Sequence, residues 1–584
     1  MNLLFEVNLN LPTDDWTTQA NEAIKANLGS GFKFEDTFVL ADLKSYCGET
    51  DYTALDKWLS GAVDATSDID AEYAIAAIYP SRREIVLARD WSGIRNVFYT
   101  IEGHRLIVGT NVYQVVSARN ERRFSLISCA EFLMYEYVAE PKTLFEGVFC
   151  VPRGKSVVID TGGNITIKGN NKLIASTIGG ENIYNGLRKS ITSAHQKRLG
   201  VVNGIYLSGG IDSTVMAIAL KRDLGLERVH AFTFRTKGAE QDESGEAENV
   251  AKQLGLEYNC VTVDPNRKVD LYSMLEKSNF PYPGAIMLGS LGEHIRDTNL
   301  QGITLFAGQD SRILTPPYNV IDRLVLHHYL HNPSIRELLK IAGLIIQKVF
   351  PHGRVHKGGI RLAQGSDIAI YVARYLYHRH QLGLQTDGGG LAKEQLLQSI
   401  EGNINFTNSS RDVFNEITNL AWDRQHTSDI AYMSGITRSY GNQCSLPFFD
   451  RDFVNYSASI PMDLALRTTV GRAGHGGSKK RVNKFVLREA YKNDLTPHMI
   501  YRDKAVCISN HLYLNGCMSE YVSDLFNNPA LKDTEIGQQL NLALLYQRGL
   551  NKNGKWEMHD YEQVVETHNL LFLEMIANKF DIKS

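Results

Sequence analysis

The 584-residue sequence predicts an α/β protein of two domains, a strand-rich domain over residues 1–175 and a parallel-sheet domain with helical additions over 180–584. Three observations predict this. A buried-strand run, Val201-Val202-Asn203-Gly204-Ile205, turns on small residues and enters the helical stretch Val215–Arg222. Further apolar runs then alternate with helical segments, a spacing that implies a parallel sheet with helices on both faces. Before residue 170, by contrast, short apolar or alternating runs follow one another between turn formers.

Composition bounds the rest. Hydrophobic content of 43% and charged content of 22% are those of a globular chain, and a net charge of −3 gives no reason to expect nucleic-acid or membrane binding. Seven scattered cysteines without a CxxC pair favour free thiols and a reducing, cytoplasmic setting over disulfides or a zinc site. The start, Met1–Val7, lacks the basic lead and apolar run of a signal peptide, and the longest apolar stretch, Leu338–Phe350, is interrupted by Lys340 and Lys348.

In chain order, Phe38–Leu40, Tyr73–Tyr79 and Glu84–Ala88 read as strands. Small and polar residues, Gly162-Gly163-Asn164 through Thr177–Gly180, read as a hinge, and Asn182–Leu199 as a helix. Val229–Phe234, Asn259–Val263 and Gly302–Phe306 are the further strands of the second domain, with a helix at Ala247–Leu254. Residues 320 to 435 read as helical. His327 and His331 there have metal-ligand spacing but no HExxH pattern, so they read as solvated or core histidines.

The chemistry concentrates at Leu207-Ser208-Gly209-Gly210-Ile211-Asp212-Ser213-Thr214. Two glycines leave no Cβ in the way, and the first-turn N–H groups of the following helix have no intrahelical partner. With the positive end of the helix dipole they form an anion site. Ser208, Ser213 and Thr214 add hydroxyl donors, and Asp212 can hold a magnesium ion beside phosphates. An ordinary strand–turn–helix corner would use similar residues. No Gly-Lys-Ser/Thr follows, so this is not a Walker loop.

The stretch resembles the SGGxDS pyrophosphate loop of enzymes that make acyl-adenylates, and its context resembles the asparagine synthetase family. Leu87–Tyr99 is similar to that family's "LARD…G…PLYY" hairpin, and Thr143–Val148 with Pro152-Arg153-Gly154 is similar to the end of its glutaminase domain. The resemblance implies an αββα sandwich of the N-terminal-nucleophile type, followed by an adenine nucleotide α-hydrolase-like synthetase domain. It also implies that Asn2 stands where glutamine hydrolysis needs a cysteine, so this domain is expected to be degenerate. Cys47, Cys129 and Cys150 are read as packing thiols. Farther on, Ala307-Gly308-Gln309-Asp310 matches the family's "SGEGxDE" loop imperfectly: Gln309 falls on the glutamate acting at the nucleophile side, and Asp310 is the magnesium ligand only if the loop is one residue shorter. Leu446–Asp450 matches "PFLD", Lys484–Ala490 matches "KxxLRxA", and Pro497–Lys504 matches "LPxxVxxRxK". From that last match Lys504 takes the role of neutralising pyrophosphate and transition-state charge. Gly471–Arg481 reads as a loop that closes over phosphates or is merely solvated.

The resemblance therefore implies an ATP- and magnesium-dependent carbon–nitrogen ligase releasing AMP and pyrophosphate. Lys504, Asp212 and Gln309 would be catalytic, Asp212 and Asp310 would hold metal, and Leu207, Ser208, Gly209, Gly210, Asp212, Ser213, Phe234 and Gly308 would bind the nucleotide. Asn2 and Gln309 point to relatives that join a carboxylate to an amine already in the substrate, lasso peptide cyclases and β-lactam synthetases. The implied partners are a peptide or small-molecule carboxylate, or a precursor peptide with its processing protease. An ammonia-using asparagine synthetase and a non-catalytic nucleotide-binding regulator stay open as alternatives.

Overall fold

The computed structural model describes residues 3–10, 13–26, 31–34, 37–45, 70–169, 182–239, 242–279, 284–309, 333–350, 430–465, 469–472, 479–502, 510–548 and 561–582, with single positions at 355, 359 and 467. Asn2, Cys47, Asp310, Lys504, His327 and His331 lie outside them.

Two antiparallel sheets build the first part of the chain. Strands β1 (Leu4–Asn8), β6 (Phe98–Glu102), β7 (Arg105–Gly109) and β8 (Val148–Cys150) form one, in the order β1-β7-β6-β8. Strands β2 (Gly31–Phe34), β3 (Thr37–Ser45), β4 (Ala71–Tyr79), β5 (Glu84–Arg89), β9 (Ser156–Asp160) and β10 (Ile165–Lys168) form the other, in the order β10-β9-β5-β4-β3-β2. Phe5, Val7, Phe38, Ile78, Leu87, Tyr99, Val108 and Ile159 fill the space between them, with Trp16 and Ala20 from the helix Thr13–Ala26. Strand β4 shows the period of two at work. Ala74, Ala76 and Ile78 face this inter-sheet core, while Tyr73, Ile75, Ala77 and Tyr79 face a second core on the far side of the sheet.

Two expectations change here. Leu87–Tyr99 is a crossover between sheets and not a hairpin, because β5 pairs with β4 and β9 while β6 pairs with β7 and β8. Buried side chains hold the crossover. Arg89 donates to the carbonyls of Arg95, Gly93 and Val151, and Asp90 accepts from the N–H groups of Ile94 and Arg95. Likewise Gly162-Gly163-Asn164 is the turn of the β9–β10 hairpin, in which Asp160 accepts from the Gly162 and Asn164 N–H groups. It is not the start of a linker.

The second part is organised on a parallel five-stranded sheet, β13 (Glu257–Val263), β12 (His230–Thr236), β11 (Asn203–Tyr206), β14 (Thr304–Phe306) and β15 (Gln443–Ser445), in the order β13-β12-β11-β14-β15. Strand β11 starts later than its apolar run suggests, and Val201 is fully exposed. Val202 still accepts from the Thr304 N–H through its carbonyl at 2.9 Å, but the pairing with β14 begins at Asn203 opposite Thr304 and Val201 lies beyond it. From β11 the strand order runs outward through β12 and β13 on one side and through β14 and β15 on the other. This makes a topological switch point between β11 and β14, where ligands of such sheets bind.

The two parts share a core. Phe98, Ile107, Val112, Tyr113 and Phe132 pack with Leu271, Leu275, Ala431, Leu570, Ile576 and Phe580. Asn111 Nδ2 donates to the Glu276 carbonyl at 2.6 Å, and Asn279 Oδ1 accepts from the Val112 N–H at 3.0 Å. The apolar stretch from Leu338 to Val349 lies in one helix, Pro333–Val349, with Phe350 just beyond its end, and among the described residues no helix is long and apolar enough to cross a membrane.

Candidate functional site

The loop after β11 is shaped by its own small residues. Leu207 extends the strand, its N–H donating to the Phe232 carbonyl at 2.8 Å while its carbonyl accepts from Thr233 Oγ1 at 2.6 Å. Gly209 then takes a left-handed backbone, φ 67°, which a side chain rarely adopts. A Cβ there would also lie 3.0 Å from the Ala247 nitrogen and from Glu246 atoms of the neighbouring helix Ser244–Leu254. Gly210 is the N-cap of the helix Ile211–Ile218, extended and without a capping side chain, so no side chain covers the first-turn N–H groups.

That helix is buried on all sides except at Asp212. Its apolar residues anchor it against the sheet core, where Val215, Met216, Ala217 and Ile218 are fully buried. The one half-exposed position therefore presents a carboxylate beside an anion-receptive helix end. The hydroxyls serve a different purpose from the expected one. Ser213 Oγ lies 3.2 Å from both the N–H and the hydroxyl of Ser208 and donates to the Gly210 carbonyl at 3.1 Å, while Ser208 Oγ accepts from the Gly210 N–H at 3.4 Å. These two serines tie the turn together. Thr214 is fully buried, so its hydroxyl is not a donor at the surface of the loop.

The loop after β14 comes in from the other side of the switch point. A Cβ on Gly308 would lie 3.1 Å from Met216 Sδ and 3.3 Å from the Ser213 nitrogen, a tight contact that glycine avoids where this loop meets the helix Ile211–Ile218. Gln309, next in the chain, donates from Nε2 to Met433 Sδ at 3.3 Å. Phe234 is half-buried at the carboxyl end of β12, its ring 6.2 Å from that of Tyr206. The structure thus brings together Leu207, Ser208, Gly209, Gly210, Asp212, Ser213, Phe234, Gly308 and Gln309 on one sheet edge.

Three further side chains, from the segment 484–502, complete the site and were not singled out from the sequence. Lys484 Nζ pairs with Asp212 Oδ2 across 272 residues of chain, both groups partly exposed at 16% and 25%. Arg502, almost wholly buried, donates from Nη2 to the Gly209 carbonyl at 3.0 Å, and its Nη1 lies 3.1 Å from Glu243 Oε1. Arg488 in turn donates to the carbonyls of Asn483, Ile500 and Arg502. The sequence did carry a signal for them. Lys484 and Arg488 are the fixed letters of the KxxLRxA stretch, and Arg502 is the arginine two positions before Lys504.

The donor set fits a nucleotide and a divalent cation. Asp212 already accepts a cation, the Lys484 ammonium, at the mouth of an anion-receptive helix end, so this carboxylate has the place and charge to hold magnesium against phosphate oxygens. Among the described residues no cluster of three metal ligands exists. In the first part of the chain, burial pushes the Cys150 thiol up to about 12 in spite of Arg89 beside it, and burial also raises Cys129. Neither thiol is a nucleophile at neutral pH.

The sequence profile of the Asparagine synthase family matches residues 186–303 and 327–571, more than half of the chain. That of the glutamine amidotransferase domain matches residues 49–168. The asparagine synthetase (glutamine-hydrolyzing) 1 of Bacillus subtilis is 23% identical over 480 residues, 78% of this chain and 71% of its own. The amidase chyE of Penicillium rubens is 23% identical over 478 residues, 74% and 68% of the two chains. The amidase chry2 of Gibberella zeae is 24% identical over 317 residues, 50% of this chain, which spans only 45% of that relative's length. The amidotransferase match falls on the antiparallel sheets and the larger match on the parallel-sheet part, and the chain belongs to the asparagine synthase family.

Proposed function

We propose that this protein is an ATP-dependent amide-forming ligase. A substrate carboxylate oxygen attacks the α-phosphorus of ATP, pyrophosphate leaves, and an amine nitrogen then attacks the acyl carbon of the adenylate. The acyl carbon–oxygen bond breaks, AMP leaves with that oxygen and the electron pair, and the amine gives up a proton to solvent. The observation that carries this reading is the Gly209–Gly210 turn at a helix end, with Asp212 and Lys484 beside it. Fixed N–H dipoles and an ammonium at the place where pyrophosphate charge develops stabilise the departure of that group. Asp212 would hold the magnesium, which neutralises phosphate charge when bound. Lys504 and Asp310 enter as the family's charge-neutralising lysine and second metal ligand.

We further propose that the amine belongs to the substrate itself, so that the product is a macrolactam of the kind lasso peptide cyclases make. Two features support an internal amine over ammonia released from glutamine. Cys129 and Cys150 are buried with raised pKa values. In addition, the resemblance to the family's loop sets Gln309, a neutral amide, at the glutamate that acts on the nucleophile side.

Chromatography of the nucleotide products tests the reaction class. Substrate-dependent AMP and pyrophosphate are expected, and ADP with inorganic phosphate would refute the proposal. Mass spectrometry of peptides carrying an Asp or Glu side chain and a free α-amine tests the substrate class. Loss of one water without ammonia is the expected result. Efficient conversion of aspartate and ammonium to asparagine would replace the macrolactam reading with ammonia-dependent synthesis.

A further inference from the structure

We propose that Arg502 is a positioning residue that fixes the direction of the Gly209–Gly210 peptide, and through it the N–H that faces the pyrophosphate. The inference rests on the adenylation reading and assigns a role to a side chain outside the loop. A peptide unit is planar and trans, so the direction of its carbonyl dictates the direction of its N–H. Between two glycines that unit is the one in the loop most free to flip, since neither side carries a Cβ to limit φ and ψ. A flip would point the Gly209 oxygen, instead of the Gly210 N–H, at incoming phosphates. The loop's own restraint on the N–H side is weak, a 3.4 Å contact to Ser208 Oγ.

Arg502 supplies the restraint on the carbonyl side. Its Nη2 donates to the Gly209 oxygen at 3.0 Å, and the side chain is only 2% exposed. The other arm, Nη1, lies 3.1 Å from Oε1 of Glu243, an ion pair without hydrogen-bond alignment; Glu243 is itself 8% exposed and sits at the head of the helix whose Glu246 and Ala247 lie against Gly209. The Arg502 backbone is fixed as well, because Arg488 Nη1 donates to the carbonyls of Arg502 and Ile500. A planar guanidinium suits this place because it serves a carbonyl and a carboxylate at once in a fixed fork, whereas an ammonium is a point charge. The arrangement also ties the loop's geometry to the segment that leads to Lys504 two residues later.

Calorimetric binding of inorganic pyrophosphate with magnesium to the full chain tests this without knowledge of the carboxylate substrate. Wild-type protein is expected to bind it. Arg502→Ala is expected to bind at least tenfold more weakly, about the effect of losing one oriented hydrogen bond to a charged group. Millimolar guanidinium, far below denaturing strength, is expected to restore part of that affinity to Arg502→Ala and to change nothing in the wild type. Arg502→Lys, which keeps the charge but loses the fork, is expected to remain weakened by about tenfold. A residue that only stabilised the fold would lower the melting temperature without a guanidinium-dependent recovery of binding. Should Arg502→Ala fail to fold, Arg502→Lys and Glu243→Gln carry the test, both predicted to bind magnesium pyrophosphate more weakly than wild type. Undiminished binding by the folded variants overturns the role of Arg502 alone. Absence of binding by the wild type overturns the adenylation reading on which it rests.

Discussion

The carboxylate of Asp212 and the ammonium of Lys484 meet at the mouth of the cleft, and each is there because of a different local structure. Asp212 is the single half-exposed residue of a helix otherwise packed into the core, and Lys484 stands in a left-handed N-cap, φ 61°, that turns the chain into the helix Phe485–Ala490. Removing such a preorganised charge costs on the order of 10²-fold in rate. Lys484→Ala is therefore expected to lower AMP release by about that factor, with little change in the melting curve, because the pair is partly solvated. A variant that retains full turnover would remove Lys484 from the site.

His195 shows how a single buried ring sets an acid limit. It is fully buried, its Nδ1–H donates to the Ile191 carbonyl at 2.7 Å, and it stacks on Phe306 at 5.5 Å. Burial pushes its pKa from 6.5 down to about 4. Protons then bind the unfolded chain more readily than the folded one. The stability from the neutral ring is complete above pH 6.5 and is lost as the pH falls from 6.5 towards 4. The loss is on the order of 3 kcal/mol over that window. Denaturant midpoints at pH 7 and pH 4.5 measure it, and His195→Gln is expected to narrow the difference between the two.

Among elements, the β11–helix unit is the one whose geometry leaves least room for change. Gly209 has a positive φ and a neighbouring helix within 3.0 Å of any added Cβ. Left-handed backbone costs a side-chain residue roughly 1–2 kcal/mol before any clash is counted. Gly209→Ala is thus expected to lower the melting temperature and to weaken nucleotide binding together. Dye-free thermal melts and ATP titration check this, and normal ATP affinity would contradict the role given to the turn. The strands of this unit could be anticipated because apolar runs bounded by turn formers are a local signal. Their ends could not. Val201 belongs by composition to the strand, yet it is fully exposed because the partner strand does not extend that far. For a similar reason Leu87–Tyr99 reads as a hairpin. Only the pairing of β5 with β9, and of β6 with β8, sends its two halves to different sheets.

Over the whole molecule, the two parts of the chain are joined by charge as well as by a shared core. Asp42 of β3 accepts two bonds from Arg95 Nη1, at 3.1 and 3.2 Å, and a third from Arg438 of the helix Ala431–Ser439. Burial alone would raise the Asp42 pKa, but the two guanidiniums outweigh it and hold the carboxyl below its usual range. Arg438 is itself penalised, by burial first and then by Arg95, so its pKa is lowered. The two partners should therefore respond unequally. Asp42→Asn takes the bonded carboxylate from Arg438 and leaves Arg95 with Glu72 alone, at 3.3 Å, and is expected to cost roughly 3 kcal/mol. Arg438→Met should cost clearly less, since it relieves a desolvated charge. Denaturant unfolding of both variants decides this, and equal losses would refute the inequality.

The sequence by itself determined the second part's α/β architecture, the glycine loop and the family, because these depend on short-range patterns: apolar runs, their alternation with helices, and motif letters at fixed spacing. It also supplied Gly308 and Gln309 from the run after β14. What it could not determine was which distant side chains hold the loop. Lys484 meets Asp212 and Arg502 meets Gly209 from as far as 293 residues away, and Glu243 pairs with Arg502. No local pattern encodes the direction of a guanidinium fork. The inward turn of Ser213 and the burial of Thr214 were equally hidden, since a hydroxyl beside a glycine turn can face a ligand or the turn itself. That choice depends on the packing of helix against sheet, which only the tertiary structure decides.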